Sequence, residues 1–187
     1  RRHTRLQGDW SSDVCSSDLS AACWGFDASG QLGDGGTTND SLPAKVQGGL
    51  AFTAISPGTD NTCGLIASGE AYCWGDNTFG QIGDSTNNSS LVPVKVLGGH
   101  QFASIEVGQG HVCGLTPAGD AYCWGDNANG RLGDNTIVSR PVPTLVAGGN
   151  RYTVISAGFN HTCAVRVDGV AMCWGQGSNG QIGRAHV

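Results

Sequence analysis

Apolar positions in this chain come in short bursts, each broken by Gly, Asn, Asp or Ser before a helical period can establish itself. Phe52–Ser56, Thr62–Ile66, Glu70–Trp74 and Val92–Val96 are such bursts, rich in β-branched and aromatic residues, and each predicts a short strand. Gly58 closes the first, a tight turn separates the second from the third, and a polar loop leads into the fourth. The pattern then returns with a constant step. Cys-Trp-Gly stands at Cys23-Trp24-Gly25, Cys73-Trp74-Gly75, Cys123-Trp124-Gly125 and Cys173-Trp174-Gly175, a period of fifty residues. Gly30-Gln31-Leu32-Gly33-Asp34 returns as Gly80-Gln81-Ile82-Gly83-Asp84 and as Gly130-Arg131-Leu132-Gly133-Asp134. Pro43 is matched by Pro93 and Pro143, and Gly48-Gly49 by Gly98-Gly99 and Gly148-Gly149. Four short strands in each unit of this length predict the blades of a β-propeller. The units run roughly over residues 25–74, 75–124 and 125–174.

The central hairpin of each unit can be put in register from its turn. A three-residue loop, Ala67-Ser68-Gly69, places Cys63 directly opposite Cys73. Such a loop asks for a left-handed third residue, and Gly69, Gly119 and Gly169 supply it without a Cβ penalty. Directly opposed strand residues lie within disulfide reach, so Cys63–Cys73, Cys113–Cys123 and Cys163–Cys173 are expected bridges. Zinc is the competing use of these thiols, with His111 and His161 as further ligands. A closed zinc site needs four ligands, however, and Asn61 stands where the first histidine would be. Bridges imply an oxidising compartment: periplasm, cell surface or medium. Cys23 requires a partner at position 13, where Asp13 stands, and Cys15 is two residues out of register. Cys23 therefore reads as an orphan and Cys15 as an accident.

Composition narrows the class. The chain has 187 residues, 39% of them hydrophobic, with 31 glycines and only 13% charged residues, which suits a turn-rich β protein rather than a helical or disordered one. No apolar run reaches membrane-spanning length. Net charge is −5 and no Lys/Arg cluster exists, so nucleic acid is not an expected partner.

Both ends depart from the repeat. Residues 1–19 share nothing with the repeating units and resemble a translated DNA-sequencing adapter; residues 183–187 resemble the same adapter read in the other direction. Both are read as scars, so the chain is expected to be a fragment of metagenomic origin, with the propeller repeats in residues 20–182. Val14–Leu19 is the stretch available for the slot of the strand missing before Ser20.

His161-Thr162-Cys163-Ala164-Val165, Asp168-Gly169 and Cys173-Trp174-Gly175, followed by Gly-Gln-Ile-Gly, resemble the regulator of chromosome condensation repeat. The cysteines resemble those of its bacterial, exported branch. Kelch propellers share the glycine doublets but fit the Gly-Gln-Leu-Gly-Asp motif less well. The resemblance implies a closed propeller, commonly of seven blades. Three complete units and part of a fourth cannot close it. Residues 20–182 are therefore expected to form an open arc, all-β, about three and a half four-stranded blades long. Its end blades would expose Trp- and Ile-bearing faces meant for the remaining blades of the parent, and so favour association. Functionally the resemblance implies either guanine-nucleotide exchange on a small GTPase or, as in an exported inhibitor of β-lactamases, protein binding through a propeller face. No residue here maps onto an exchange role.

Chemistry-bearing positions repeat once per blade, whereas catalysis needs one convergent site. His111 and His161, at the head of a core strand, are expected to make structural hydrogen bonds to a neighbouring blade's backbone, and the tryptophans to pack between blades. Asp34, Asp84 and Asp134 read as acidic turns rather than calcium ligands, since neither an EF-hand nor a β-roll pattern surrounds them. Asn39, Asn87, Asn88 and Asn160 begin glycosylation sequons, relevant only in a eukaryotic secretory host. No activated nucleophile or phosphate loop is visible. What varies between units lies in loops, the usual seat of binding specificity on a rigid scaffold. Candidate binding residues are Asp76, Asn77, Phe79, Asn87, Asn88, Asp126, Asn127, Asn129 and Arg140. The expectation is a non-catalytic scaffold of an exported bacterial protein, without cofactor or metal, that binds a protein or cell-surface component.

Overall fold

The computed structural model describes residues 14–16, 21–180 and 182, so the expectations for residues 1–13, 17–20, 181 and 183–187 lie outside the described residues. Fourteen strands and no helix occur among them. They form four antiparallel meanders in chain order. The first holds β1 (Val14–Ser16), β2 (Ala22–Gly25) and β3 (Asp40–Lys45). The second holds β4 (Phe52–Pro57), β5 (Asn61–Ile66), β6 (Ala71–Gly75) and β7 (Ser90–Lys95), and the third β8 (Ser104–Val107), β9 (His111–Leu115), β10 (Ala121–Gly125) and β11 (Arg140–Leu145). The last holds β12 (Tyr152–Ala157), β13 (His161–Arg166) and β14 (Ala171–Gly175). Two four-stranded blades lie between two three-stranded ones, an unclosed partial propeller.

Within a blade, side-chain environment follows strand position. β5 and β9 are buried on both faces because a sheet lies against each, so their sequences do not alternate. The fourth strands β7 and β11 are blade edges, where Pro93 and Pro143 forfeit no ladder bond that the sheet needs. Pairing shifts between Cys73 and Gly75, whose partners are Val94 and Ser90. The same shift falls between Cys123 and Gly125. This bulge leaves the intervening tryptophan without a partner on the fourth strand, although it still pairs with the second.

The core sits between blades rather than within them. Cys23, Leu32 and Val46 of the first blade pack with Phe52 and Trp74 of the second. Cys63, Cys73 and Ile82 of the second pack with Phe102, Val112 and Trp124 of the third. In the second, third and last blades the indole N–H also crosses the boundary to donate to the preceding blade's backbone. Trp74 Nε1 donates to the Gln31 carbonyl at 2.8 Å, Trp124 to Gln81 at 2.9 Å and Trp174 to Arg131 at 2.9 Å. Gly33 makes the approach possible. Its φ is +75°, and a Cβ there would come within 2.6 Å of the Trp74 indole nitrogen.

The hairpin register is the one the loop length predicts. Cys63 pairs with Cys73, Cys113 with Cys123 and Cys163 with Cys173, and all three pairs are disulfide-bonded. Gly69 takes the left-handed position at φ 82°. The reading of Cys23 as an orphan is corrected. Cys15 and Cys23 face each other across β1 and β2 and form a fourth bridge, at a Cα–Cα distance of 4.1 Å. Their separation is eight residues rather than ten. Shortening a hairpin connection by two keeps the strand's side-chain parity, so both sulfurs still fall on the same face.

The last blade is the most open. Ala71 and Ala121 are buried, but their counterpart Ala171 is exposed; Trp74 and Trp124 are fully buried, but Trp174 is only partly so.

Candidate binding face

Antiparallel order sends the long loops 26–39, 76–89 and 126–139 to the same end of the blades as the turns 57–60, 107–110 and 157–160. The turns surround an open cavity of about 310 Å³ whose lining includes Pro57, Thr59, Val107, Gln109, Ala157 and Phe159. Phe159 is 62% exposed, and Phe26, Phe79, Ile137 and Val138 of the long loops are exposed as well. This face therefore combines a concavity near the inner strands with apolar loop tips further out.

The loops are rigid for a reason visible in their hydrogen bonds. Asn77 is fully buried; its Oδ1 accepts the Ile82 N–H at 2.8 Å and its Nδ2 donates to oxygens of Asp84, Thr86 and Asn88. Asn127 repeats this with Leu132, Asp134, Thr136 and Val138. Both side chains are therefore buried inside their loops, as internal braces. A side-chain amide has two ends, and here both are consumed locally. Asp84 and Asp134 accept the N–H and hydroxyl of Thr86 and Thr136, closing the acidic turns. Burial acts to raise the Asp134 pKa, but hydrogen bonds from Thr136, Arg140 and Asn127 outweigh it and hold the carboxyl below its ordinary range. Arg140 Nε donates to Asp134 Oδ2 at 2.8 Å, so this side chain braces its own loop.

Of the other candidates, Phe79, Asn87, Asn88 and Asn129 are exposed, while Asp76 and Asp126 are half-buried. Asp76 Oδ2 accepts from Gln81 Nε2 at 2.6 Å, and Asp126 pairs with Arg131 at 3.1 Å. Arg131 is itself buried and stands where the other blades carry glutamine. Sequence reasoning misses Gln31, Gln81 and Arg131, although the one Gln-to-Arg change in the repeat is readable.

His111 is fully buried at the head of β9. Its Nε2 lies 2.9 Å from Thr162 Oγ1 of the next blade, a side-chain hydroxyl rather than the backbone group expected. Burial foremost, then Arg131 and His161, pushes its pKa down to about 3, so the ring is neutral. A neutral ring tied to one hydroxyl suits blade-to-blade bonding. Asn61 occupies the equivalent position in the second blade, where the counterpart of Thr162 is Val112, which has no hydroxyl, and both Asn61 side-chain polar atoms are unpaired among the described residues. Among the described residues no group of three or more His, Cys, Asp or Glu side chains is arranged to hold a metal, and no helix is long and apolar enough to cross a membrane.

Stacked four-stranded meanders stapled by a recurrent tryptophan define the chain as part of a propeller built from repeats. The comparisons name the repeat. The model of the regulator of chromosome condensation (RCC1) repeat matches residues 68–115 and 118–165, more than half of the chain, and a second model of the same repeat matches 52–81, 102–131 and 152–181. The chain belongs to the RCC1 repeat family. No curated protein matches it closely enough in sequence to count as a relative. Among solved structures it is similar to human WBSCR16, with a TM-score of 0.79 at 22% identity over 91% of this chain and 46% of that one. It is similar also to yeast RCC1 (Prp20) bound to Kap60, at 0.75 and 23% over 89% and 42%. The ectodomain of the Physcomitrella patens receptor kinase CR4 gives 0.54 and 28% over 87% and 35%. The chain thus spans less than half the length of each.

Proposed function

We propose that this chain is the partner-binding part of a non-catalytic propeller from an exported bacterial protein, with the loop face as its contact surface. The observation that carries the reading is the contrast on that face. Its loops are held by internal hydrogen bonds at Asn77 and Asn127, while Phe79, Asn87, Asn88 and Asn129 project from them. A rigid frame with variable tips loses little entropy on binding. Export is supported by four disulfides, and a receptor ectodomain among the similar structures gives a precedent for this fold outside the cell. A protein partner is supported by the yeast structure, in which RCC1 is bound to Kap60.

The second reading, nucleotide exchange on a small GTPase, is favoured by family membership itself. Two measurements separate them. Photo-crosslinking groups placed at Phe79 and Asn129 should trap a partner from the host's surface fraction, while the same groups at Ser68 and Ala118 on the opposite face should not. Release of fluorescent GDP from a panel of small GTPases should be unaffected by the chain. Accelerated release, or equal capture from both faces, would overturn the proposal.

A further inference from the structure

One loop of the candidate face reverses the chemistry of a buried position. In its two sister loops an amide NH₂ points into a set of oxygens. Around Asn77 Nδ2 these are Asp84 Oδ1, the Thr86 carbonyl and hydroxyl and the Asn88 carbonyl, at 3.0–3.3 Å. In the first blade Asp27 takes this place. The loop is otherwise built alike: Leu32 N–H donates to Asp27 Oδ1 at 2.8 Å, Gly36 N–H to Asp34 Oδ1 at 2.7 Å, and Asp27 N–H to Asn39 Oδ1 at 2.9 Å. With Oδ1 in the role of the amide oxygen, Asp27 Oδ2 stands where the NH₂ donor stands in the other loops. Asp27 is 0% exposed, and its Oδ2 has no hydrogen-bond partner among the described residues. The counterparts of the oxygens around Asn77 Nδ2 are the Asp34 carboxylate and the carbonyls of Gly36 and Thr38. Every one is an acceptor.

Charge compounds the mismatch. In the third blade Arg140 delivers a guanidinium to Asp134, and the counterpart of Arg140 in the first is Asp40. Asp27 and Asp34 of this loop, with Asp40 beside them at the head of β3, therefore lack the internal donor of both sister loops and the cation that the third blade adds. Burial, then Asp34 and Asp40, push the Asp27 carboxyl above its ordinary range, against the pull of the Leu32 N–H.

We propose that the 26–40 loop binds a hard, oxygen-seeking cation of the calcium class, held by the Asp27 and Asp34 carboxylates and the Gly36 and Thr38 carbonyls. Calcium accepts mixed carboxylate, carbonyl and water ligation, whereas magnesium demands near-ideal octahedral geometry. Among the described residues no third acidic, His or Cys side chain joins the group as a ligand, so water completes the shell and Asp40 acts through its charge. Two carboxylates set the affinity in the weak range of extracellular modules, a Kd of about 10⁻⁴–10⁻³ M. The other loops carry their own donors and do not bind.

The test titrates the whole chain with CaCl₂ by calorimetry and melts it in CaCl₂ and in EDTA, beside Asp27→Asn and Asp40→Arg. Asp27→Asn installs the residue of the sister loops; Asp40→Arg imports the third blade's cation and leaves the ligands alone. The wild type should bind one calcium and melt about 3–6 °C higher at ten times Kd. Both variants should lose this response while melting at least as high as the wild type in EDTA. Equal responses in wild type and both variants would assign calcium to the acidic surface at large and overturn the proposal. A wild type indifferent to calcium but stabilised by lowering the pH would put a proton, not a metal ion, between Asp27 and Asp34, and would overturn it equally.

Discussion

The third and last blades carry the same motif at the same register, yet they are different environments. His111 and His161 both head the second strand of a blade, and Trp124 and Trp174 both follow its second half-cystine. His111 and Trp124 are fully buried; His161 and Trp174 are half-buried. Sequence cannot account for the contrast. What differs is the neighbour: β9 lies against β12 of the following blade, whose Thr162 reaches back to His111. A blade here does not bury its own strands. The adjoining blade does, as in other stacked repeats, where stability is the sum of weak units and strong interfaces.

The comparison breaks first at the tryptophans. Trp124→Ala should cost about 3–5 kcal/mol, because it empties a closed interface and orphans the Gln81 carbonyl. Trp174→Ala should cost about half as much, and equal losses in chemical denaturation would refute the interface account. Next comes acid. The unfolded state takes up a proton near the ordinary histidine pKa of 6.5, whereas folded His111 resists down to about 3. Stability is therefore lost as pH falls below 6.5, by about 2–3 kcal/mol at pH 4.5 from this residue alone. His111→Asn, which copies Asn61, should flatten that part of the pH profile of the melting temperature; His161→Asn should flatten it much less.

Removing a bridge should come third. Cys113→Ser with Cys123→Ser should cost about 2–3 kcal/mol by the loop-entropy argument, plus the burial of two hydroxyls. The same pair of changes at Cys163 and Cys173 should approach the entropic part alone, because those sulfurs are less buried. The smallest effect belongs to the loops. Asn127→Ala should cost about 1–2 kcal/mol and loosen residues 126–139, seen as faster amide exchange there but not in the 76–89 loop.

The legible parts are those whose cause is local. Gly69 at the third position of its loop needs only its own backbone to set the turn, and the turn then sets the Cys63–Cys73 register. The four strands per unit and their edge prolines are readable for the same reason, since chain alternation and missing N–H groups act over a few residues. Asn77 and Asn127 cannot be sorted from true surface residues in this way, because an amide's fate depends on oxygens up to eleven residues away. Cys15 fails on spacing, being two residues off the repeat. Strand parity survives that change, and only the fold brings Cys15 opposite Cys23.

By itself, then, the amino-acid order determined the repeat, the hairpin register and three of the four bridges, all of them consequences of turns a few residues long. Tertiary structure alone decided which histidine is neutral, which tryptophan is sealed, and that Asp27 holds an unpartnered oxygen inside its loop. Those depend on what lies across an interface or behind a loop, where desolvation and the supply of donors are set by residues distant in sequence.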